Sequence, residues 1–203
     1  AEKRFLFCPT GADSEGRLTF EVTFQDDSVS LLPEQVLAMY LHQLQLYVNR
    51  EAGNSEVKDC VVSVPVYFTM EQRRLIQQAC EVAQLNCMSL VNETTAAAVD
   101  YGIFRGSSLP DKEEDAQTVA IVDIGYGDAT VSIAKFWKGN TKVLAHAYDK
   151  ECGTREVDYG LAQHFVGEIQ KKYKIDTREN KRSRIRLLQA CEKVKCMLSA
   201  NKT

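Results

Sequence analysis

The residues most able to do chemistry lie in one short segment, 119–133, which reads VAIVDIGYGDATVSI. An apolar run ends at Asp123, Gly125 and Gly127 allow a tight turn, and a second strand-like run begins at once. Glycines let backbone N–H groups approach a phosphate closely, and a carboxylate at a strand end can hold Mg²⁺ or its water ligands. The segment is therefore predicted to be a hairpin that cradles phosphate.

The strand that follows the turn excludes two other kinds of phosphate site. Dinucleotide-binding folds and P-loops place the phosphate at the N-terminus of a helix, which is absent from this pattern. A structural alternative stays open, because a hairpin with an Asp-Gly type of turn is common without any ligand. In that alternative Asp123 is only a turn residue.

The elements before this segment alternate between strands and helices. Residues 17–24 alternate apolar and polar side chains as a half-buried strand does. Pro33 opens an amphipathic helix, and Thr69 with Gln72 forms the capping box of a second one. The remaining predicted elements are a strand at 60–64 ended by Pro65, a strand from Met88 to Val91, and a helix from Thr95 to Tyr101 closed by Gly102.

The pattern changes after the polar segment 105–117, which is predicted to be a linker or exposed loop. Strands are predicted at 118–124, 129–137 and 142–148, and helices at about 157–173 and 179–199. Two α/β lobes follow from this arrangement, the first within residues 1–104 and the second beginning within residues 118–203.

Composition gives only general limits on function. The 203 residues carry a net charge of −3 and contain no apolar run near the ~18 residues that span a bilayer, so neither nucleic acid nor membrane is predicted as a partner. A basic run over 171–186 is interrupted by acids and is interpreted as a solvated face. The seven cysteines include no CxxC pair, which predicts free, mostly buried thiols in a cytoplasmic protein that can also be nuclear.

Four segments, in order, resemble the heat-shock protein 70 family. Residues 60–73 (CVVSVPVYFTMEQR) and 92–102 (NETTAAAVDYG) are similar to its VPxYFxxxxR and NExTAAAxxYG motifs, and 149–155 and 191–195 to its later turn and adenosine-facing helix. The 110-kDa branch of the family is resembled most at four places, which are Thr94, Arg155 and the segments 172–180 and 192–201. The resemblance implies an α/β actin-like ATPase fold with ribonuclease H-like lobes, of which this chain is part of the nucleotide-binding domain.

The resemblance also implies roles for individual residues. Asp123 would be catalytic and would hold Mg²⁺ through water, with Glu93 as a second carboxylate. Pro65 and Arg73 would belong to a relay that couples nucleotide state to the rest of the chaperone. The residues that would contact ATP or ADP are Gly125, Tyr126, Gly127, Gly153, Glu192, Lys195 and Ser199. Outside the resemblance, Glu192 and Lys195 can equally be a surface pair one helical turn apart.

Several positions depart from the family pattern. Tyr126 and Asp128 occupy the phosphate turn, and a carboxylate there would repel a phosphate. Thr130, Thr154 and Cys196 replace an aspartate, a glycine and a base-stacking basic residue of the family, so weak or no ATP hydrolysis is expected.

The predicted function is therefore an ATP-binding co-chaperone that exchanges nucleotide on a 70-kDa heat-shock protein and keeps unfolded clients soluble. An ATP-hydrolysing foldase and another actin-fold kinase remain as alternatives, and the chain alone is expected to be inactive.

Overall fold

The computed structural model describes residues 8–53, 55–177 and 180–200. The chain divides into two compact units, with the boundary between Ala96 and Ala97. None of the helices in the described ranges has the length and apolarity needed to cross a bilayer. The lobe boundaries proposed from the sequence, with a linker at 105–117, remain a prediction.

The first unit begins with a small antiparallel sheet of three strands, β1 (Thr10–Ala12), β2 (Leu18–Phe24) and β3 (Asp27–Leu31). Helix α1 (Pro33–Glu51) follows, with the proline in its first turn. Gln25 and Asp26 form the turn between β2 and β3, and both have positive φ. The strand predicted at 17–24 and the helix opened by Pro33 are confirmed.

The rest of the first unit is a β–α–β segment. Strands β4 (Asp59–Val64) and β5 (Asn86–Asn92) run parallel, and helix α2 (Met70–Val82) connects them. Parallel neighbours need such a crossover. The predicted capping box is present: the Gln72 amide donates to Thr69 Oγ1 (3.2 Å), and the Thr69 amide donates to Gln72 Oε1 (2.9 Å). The core of this unit is formed by Ala38, Ala79 and Ala83 with Leu37, Leu41 and Leu85 around them.

The second unit contains an antiparallel meander and two long helices. Its strands are β6 (Gln117–Ile124), β7 (Ala129–Trp137) and β8 (Asn140–Asp149), in that order across the sheet. Helices α4 (Thr154–Tyr173) and α5 (Lys181–Ala200) follow. The predicted strands and helices are confirmed, except that the predicted start of the last helix at Glu179 lies outside the described residues. One cluster of buried core residues consists of Ala98, Leu109, Ala134 and Phe136.

One predicted helix end is wrong. Helix α3 (Glu93–Arg105) passes through Gly102 instead of stopping there. A Cβ at position 102 would lie 3.0 Å from Thr141 Oγ1 and 3.5 Å from the Phe136 ring, so the glycine serves close packing against the meander. Glycine in a helix interior costs only about 0.5–1 kcal/mol relative to alanine, so the helix can continue through this position.

The cysteine prediction is half correct. All seven thiols are free, as expected. They are not mostly buried: only Cys80 and Cys191 are buried, two are partly buried, and three are exposed. The three exposed thiols lie outside the strands: Cys8 and Cys152 are in connecting segments, and Cys196 is on an exposed face of helix α5.

Candidate nucleotide-phosphate site

The predicted phosphate hairpin is the turn between β6 and β7. The strands pair up to Ile124 and Ala129, so residues 125–128 form the whole connection. The Gly125 amide donates to the Asp128 carbonyl oxygen (2.9 Å), which closes the turn. Asp123 is exposed at the end of β6, opposite Thr130 in the register.

The N-terminus of helix α4 holds this turn in place. The Thr154 amide donates to the Gly125 carbonyl (2.9 Å), and the Arg155 amide donates to the Tyr126 carbonyl (3.0 Å). The first amides of a helix have no acceptor within the helix. The carbonyls of the turn serve as acceptors for two of these amides. The hairpin and the helix start are therefore a single hydrogen-bonded structure.

Gly153 makes this contact possible. It is the buried N-cap residue of α4, and a Cβ there would meet the Tyr126 carbonyl oxygen and lie 2.6 Å from the Asp128 nitrogen. Any side chain would push the turn away from the helix. The predicted role of Gly153 in the nucleotide cleft is untested, and its structural role is to allow close approach of backbone to backbone.

The turn also has the features that a phosphate group needs. Among the described residues, no acceptor is found for the amides of Tyr126 and Gly127. No atom lies within 4 Å of a Cβ built on Gly127, so this side of the turn is open. Successive backbone amides without a protein acceptor can form an anion-binding nest. The residues present therefore fit a phosphate group at this turn.

One carboxylate works against a phosphate here. Asp128 is partly buried, and its Oδ2 accepts a long hydrogen bond from Thr130 Oγ1 (3.4 Å). Thr130 itself is buried, with 3% of its surface exposed. A negative charge fixed beside the turn lowers the affinity for a highly charged phosphate.

The predicted adenosine helix is α5, and its three residues have different surroundings. Glu192 and Ser199 are exposed, as a ligand contact requires. Lys195 instead points to α4: its Nζ lies 2.7 Å from Oδ2 of Asp158 and 3.4 Å from the Thr154 carbonyl oxygen. The adenosine contact of these residues remains a prediction, and Lys195 is not simply the surface partner of Glu192.

The predicted relay residues Pro65 and Arg73 are brought together in the first unit. Arg73 Nη2 donates to the Pro65 carbonyl (3.3 Å) and to Asn92 Oδ1 (2.7 Å), and its Nε donates to the Phe68 carbonyl (3.1 Å). Asn92 immediately precedes Glu93, the first residue of α3. One guanidinium thus ties the loop after β4 to the residue before Glu93.

Two participants were not found from the sequence. Asp158 lies 37 positions from Lys195, and Asn92 lies 19 positions from Arg73. The sequence hints at Asp158 only because this acid lies on the buried side of helix α4, between the buried residues Gly153 and Ala162. This position indicates that the carboxylate needs a partner, but not that the partner is Lys195.

Comparison with known proteins decides the family. A family model described as "Hsp70 protein" matches residues 2–203. The chain belongs to the heat-shock protein 70 family. The α/β actin-like ATPase fold predicted from the motifs is confirmed with it.

The relatives lie in the 110-kDa branch, which confirms that resemblance. The chain is 42% identical over 187 residues to a heat shock protein homolog of Lachancea kluyveri, covering 92% of this chain and 27% of that protein. It is 42% identical over 190 residues to the "Heat shock 70 kDa protein 4" of Homo sapiens, and the match covers 92% of this chain and 22% of that protein. It is 40% identical over 188 residues to the "97 kDa heat shock protein" of Mesocentrotus franciscanus, and the match covers 93% of this chain and 21% of that protein. The chain thus spans only about a quarter of the length of these relatives.

Proposed function

We propose that this chain is the part of a heat-shock co-chaperone that binds the phosphates of ATP or ADP. The observation that carries the proposal is the turn at 125–128, which is held by α4 and in which the amides of Tyr126 and Gly127 have no acceptor among the described residues. A site fixed in this way needs no reorganisation to accept an anion.

Mg²⁺ would be held through water by Asp123, which is exposed at the end of β6. A bound Mg²⁺ would neutralise phosphate charge. Glu93, by the family resemblance, is the proposed second carboxylate. Glu192 and Ser199, exposed on α5, are the proposed adenosine contacts. Lys195 acts in this proposal through its ion pair with Asp158, by fixing the position of α5 on α4.

Binding without efficient hydrolysis is the second half of the proposal. Asp128 places a charge next to the phosphate turn, and the same repulsion would disfavour the charge that accumulates on a transferred phosphoryl group. The nucleotide then serves to fix the shape of the co-chaperone. A fixed shape is sufficient for a protein that works by binding a partner.

The complete protein, in this proposal, acts on a 70-kDa heat-shock protein in the cytoplasm or nucleus. It binds the open, nucleotide-free form of that partner more tightly than the closed form, which shifts the population and lets ADP leave. It also keeps unfolded client proteins soluble. The names of the 42%-identical relatives, both heat-shock proteins, support this class of function.

The experiment compares ATP turnover with ADP release, using the full-length protein and its Asp123→Ala variant. We expect slow turnover that the substitution changes little, and accelerated ADP release from a 70-kDa partner. Turnover at the rate of a foldase, abolished by Asp123→Ala and without ADP release from the partner, would establish the foldase alternative instead.

A further inference from the structure

Three cysteines that are distant in the sequence meet in the first unit. The Sγ atoms of Cys60, Cys80 and Cys87 all lie within 4.8 Å of one another. Cys60 belongs to β4, Cys80 to α2 and Cys87 to β5. The other four cysteines are not part of this group.

The backbone fixes this arrangement. Cys60 and Cys87 are register partners in the parallel pair, and the register shifts immediately after them. Cys80 lies in the last turn of the crossover helix, and its carbonyl accepts from the Leu85 amide (2.9 Å), which sets the path from α2 into β5. Each of the three elements therefore supplies one sulfur to a single point.

The three thiols differ in their exposure to solvent. Cys80 is fully buried, at 0% exposure, whereas Cys60 and Cys87 are partly exposed. A small ion can reach the outer two sulfurs and complete its coordination with the inner one. Nothing in the phosphate-binding role requires three thiols at this place.

We propose that Cys60, Cys80 and Cys87 form a three-sulfur site for a soft monovalent cation, Cu⁺. Thiolates select soft ions, and Cu⁺ accepts three sulfur ligands in a plane. Zn²⁺ in structural sites is almost always bound by four protein ligands. Among the described residues, the group holds no fourth Cys, His, Asp or Glu. The ligand count thus favours Cu⁺ over Zn²⁺.

Binding exchanges protons for the metal and transfers no electrons. Cu⁺ takes the thiolate sulfurs, and the displaced thiol protons leave to the buffer. Burial raises the pKa of Cys80 to about 12, and the two neighbouring sulfurs act on that pKa in the same direction. Burial also raises the pKa of Cys60, with smaller contributions from Cys87 and the Asp59 carboxylate. Binding of Cu⁺ therefore has to displace protons from Cys60 and Cys80.

The test is an anaerobic titration of the 203-residue chain with Cu⁺ against a chromophoric Cu⁺ chelator. We expect one equivalent to be taken from the chelator. The Cys80→Ala and Cys87→Ala variants should each lose affinity by roughly tenfold or more. The matched control is Cys191→Ala, which removes an equally buried thiol outside the group and should bind like the wild type.

Thermal unfolding of each variant separates loss of a ligand from loss of the fold. If Cys80→Ala does not fold, Cys87→Ala decides, since that side chain is partly exposed. The proposal is overturned if the chain takes no Cu⁺, if Cys191→Ala lowers the affinity as much as the ligand variants, or if Zn²⁺ is bound and Cu⁺ is not.

Discussion

Lys195 Nζ lies 2.7 Å from Oδ2 of Asp158, and this ion pair joins the two long helices of the second unit. The Asp158 side chain is only 5% exposed and that of Lys195 is 23% exposed. The other carboxylate oxygen of Asp158 has no partner among the described residues. Among the described residues, Lys195 is therefore the one ion-pair partner of this buried carboxylate.

Lys195→Met is expected to lower the free energy of unfolding by about 2–4 kcal/mol, because it leaves a buried carboxylate without a counter-charge. Denaturant unfolding measures this loss. Lys193→Met, an exposed position on the same helix, is the control and should change stability by less than about 0.5 kcal/mol. Adding Asp158→Leu to Lys195→Met should recover part of the stability. Equal losses in the two lysine variants would show that the ion pair contributes nothing.

Gly153→Ala and Gly127→Ala form a second matched pair. A Cβ at 153 collides with the backbone of the turn, whereas a Cβ at 127 meets no atom within 4 Å. We expect Gly153→Ala to lower the free energy of unfolding by about 1–3 kcal/mol or more, and Gly127→Ala to change it by less than about 1 kcal/mol. Gly127→Ala should instead weaken ATP binding by the full-length protein, measured by calorimetry. Unchanged ATP affinity in that variant would remove this turn from the phosphate site.

Arg73→Ala should destabilise the first unit. The guanidinium donates to the Pro65 and Phe68 carbonyls and to Asn92 Oδ1. Its removal takes this donor from the partly buried Phe68 carbonyl and Asn92 Oδ1, whereas the Pro65 carbonyl keeps its hydrogen bond from the Phe68 amide (3.1 Å). A loss of about 1.5–3 kcal/mol is expected in denaturant unfolding. Arg73→Lys should not restore it, because an ammonium cannot reproduce the planar fork of donors. Arg74→Ala, at the exposed neighbouring position, is the control, and full rescue by lysine would contradict this account.

The three-thiol group predicts a loss of stability at alkaline pH. Burial beside Cys60 and Cys87 raises the pKa of Cys80 from its ordinary 9.0 to about 12. The unfolded chain therefore loses this proton near pH 9 while the folded chain keeps it, so stability falls as the pH rises from 9 towards 12. The slope is up to about 1.4 kcal/mol per pH unit for this thiol.

Urea unfolding at several pH values between about 8 and 11 checks this prediction, with Cys80→Ala as the reference. The free energy of unfolding should fall more steeply for the wild type than for the variant. Parallel curves would mean that the Cys80 thiol ionises equally in both states.

Local signals were sufficient for most of the elements. The Thr69–Gln72 capping box fixes the start of α2, and the alternation around the glycine turn indicates β6 and β7 with their connection. Strand β3 has no such signal, because the turn before it is formed by Gln25 and Asp26, which take positive φ without a glycine. The end of α3 was misplaced because the reason for Gly102 is its packing on Phe136, which is distant in the sequence.

The site was less predictable than the fold. Family motifs indicated which residues form the phosphate turn, but not that the first amides of α4 bind its carbonyls. The pairing of Lys195 with Asp158 and the meeting of Cys60, Cys80 and Cys87 are tertiary contacts, and no spacing rule in one chain encodes them. The thiols could have been suspected only from the parallel strands that begin near Cys60 and Cys87.

In the proposed function, nucleotide held at this turn fixes the shape of an exchange factor. The most direct measurement is the rate at which labelled ADP leaves a 70-kDa heat-shock protein when the full-length protein is added, either loaded with ATP or free of nucleotide. We predict faster release with the ATP-loaded protein, at every concentration, and loss of that advantage in Gly127→Ala. Release that is unchanged by the loaded protein would contradict the account.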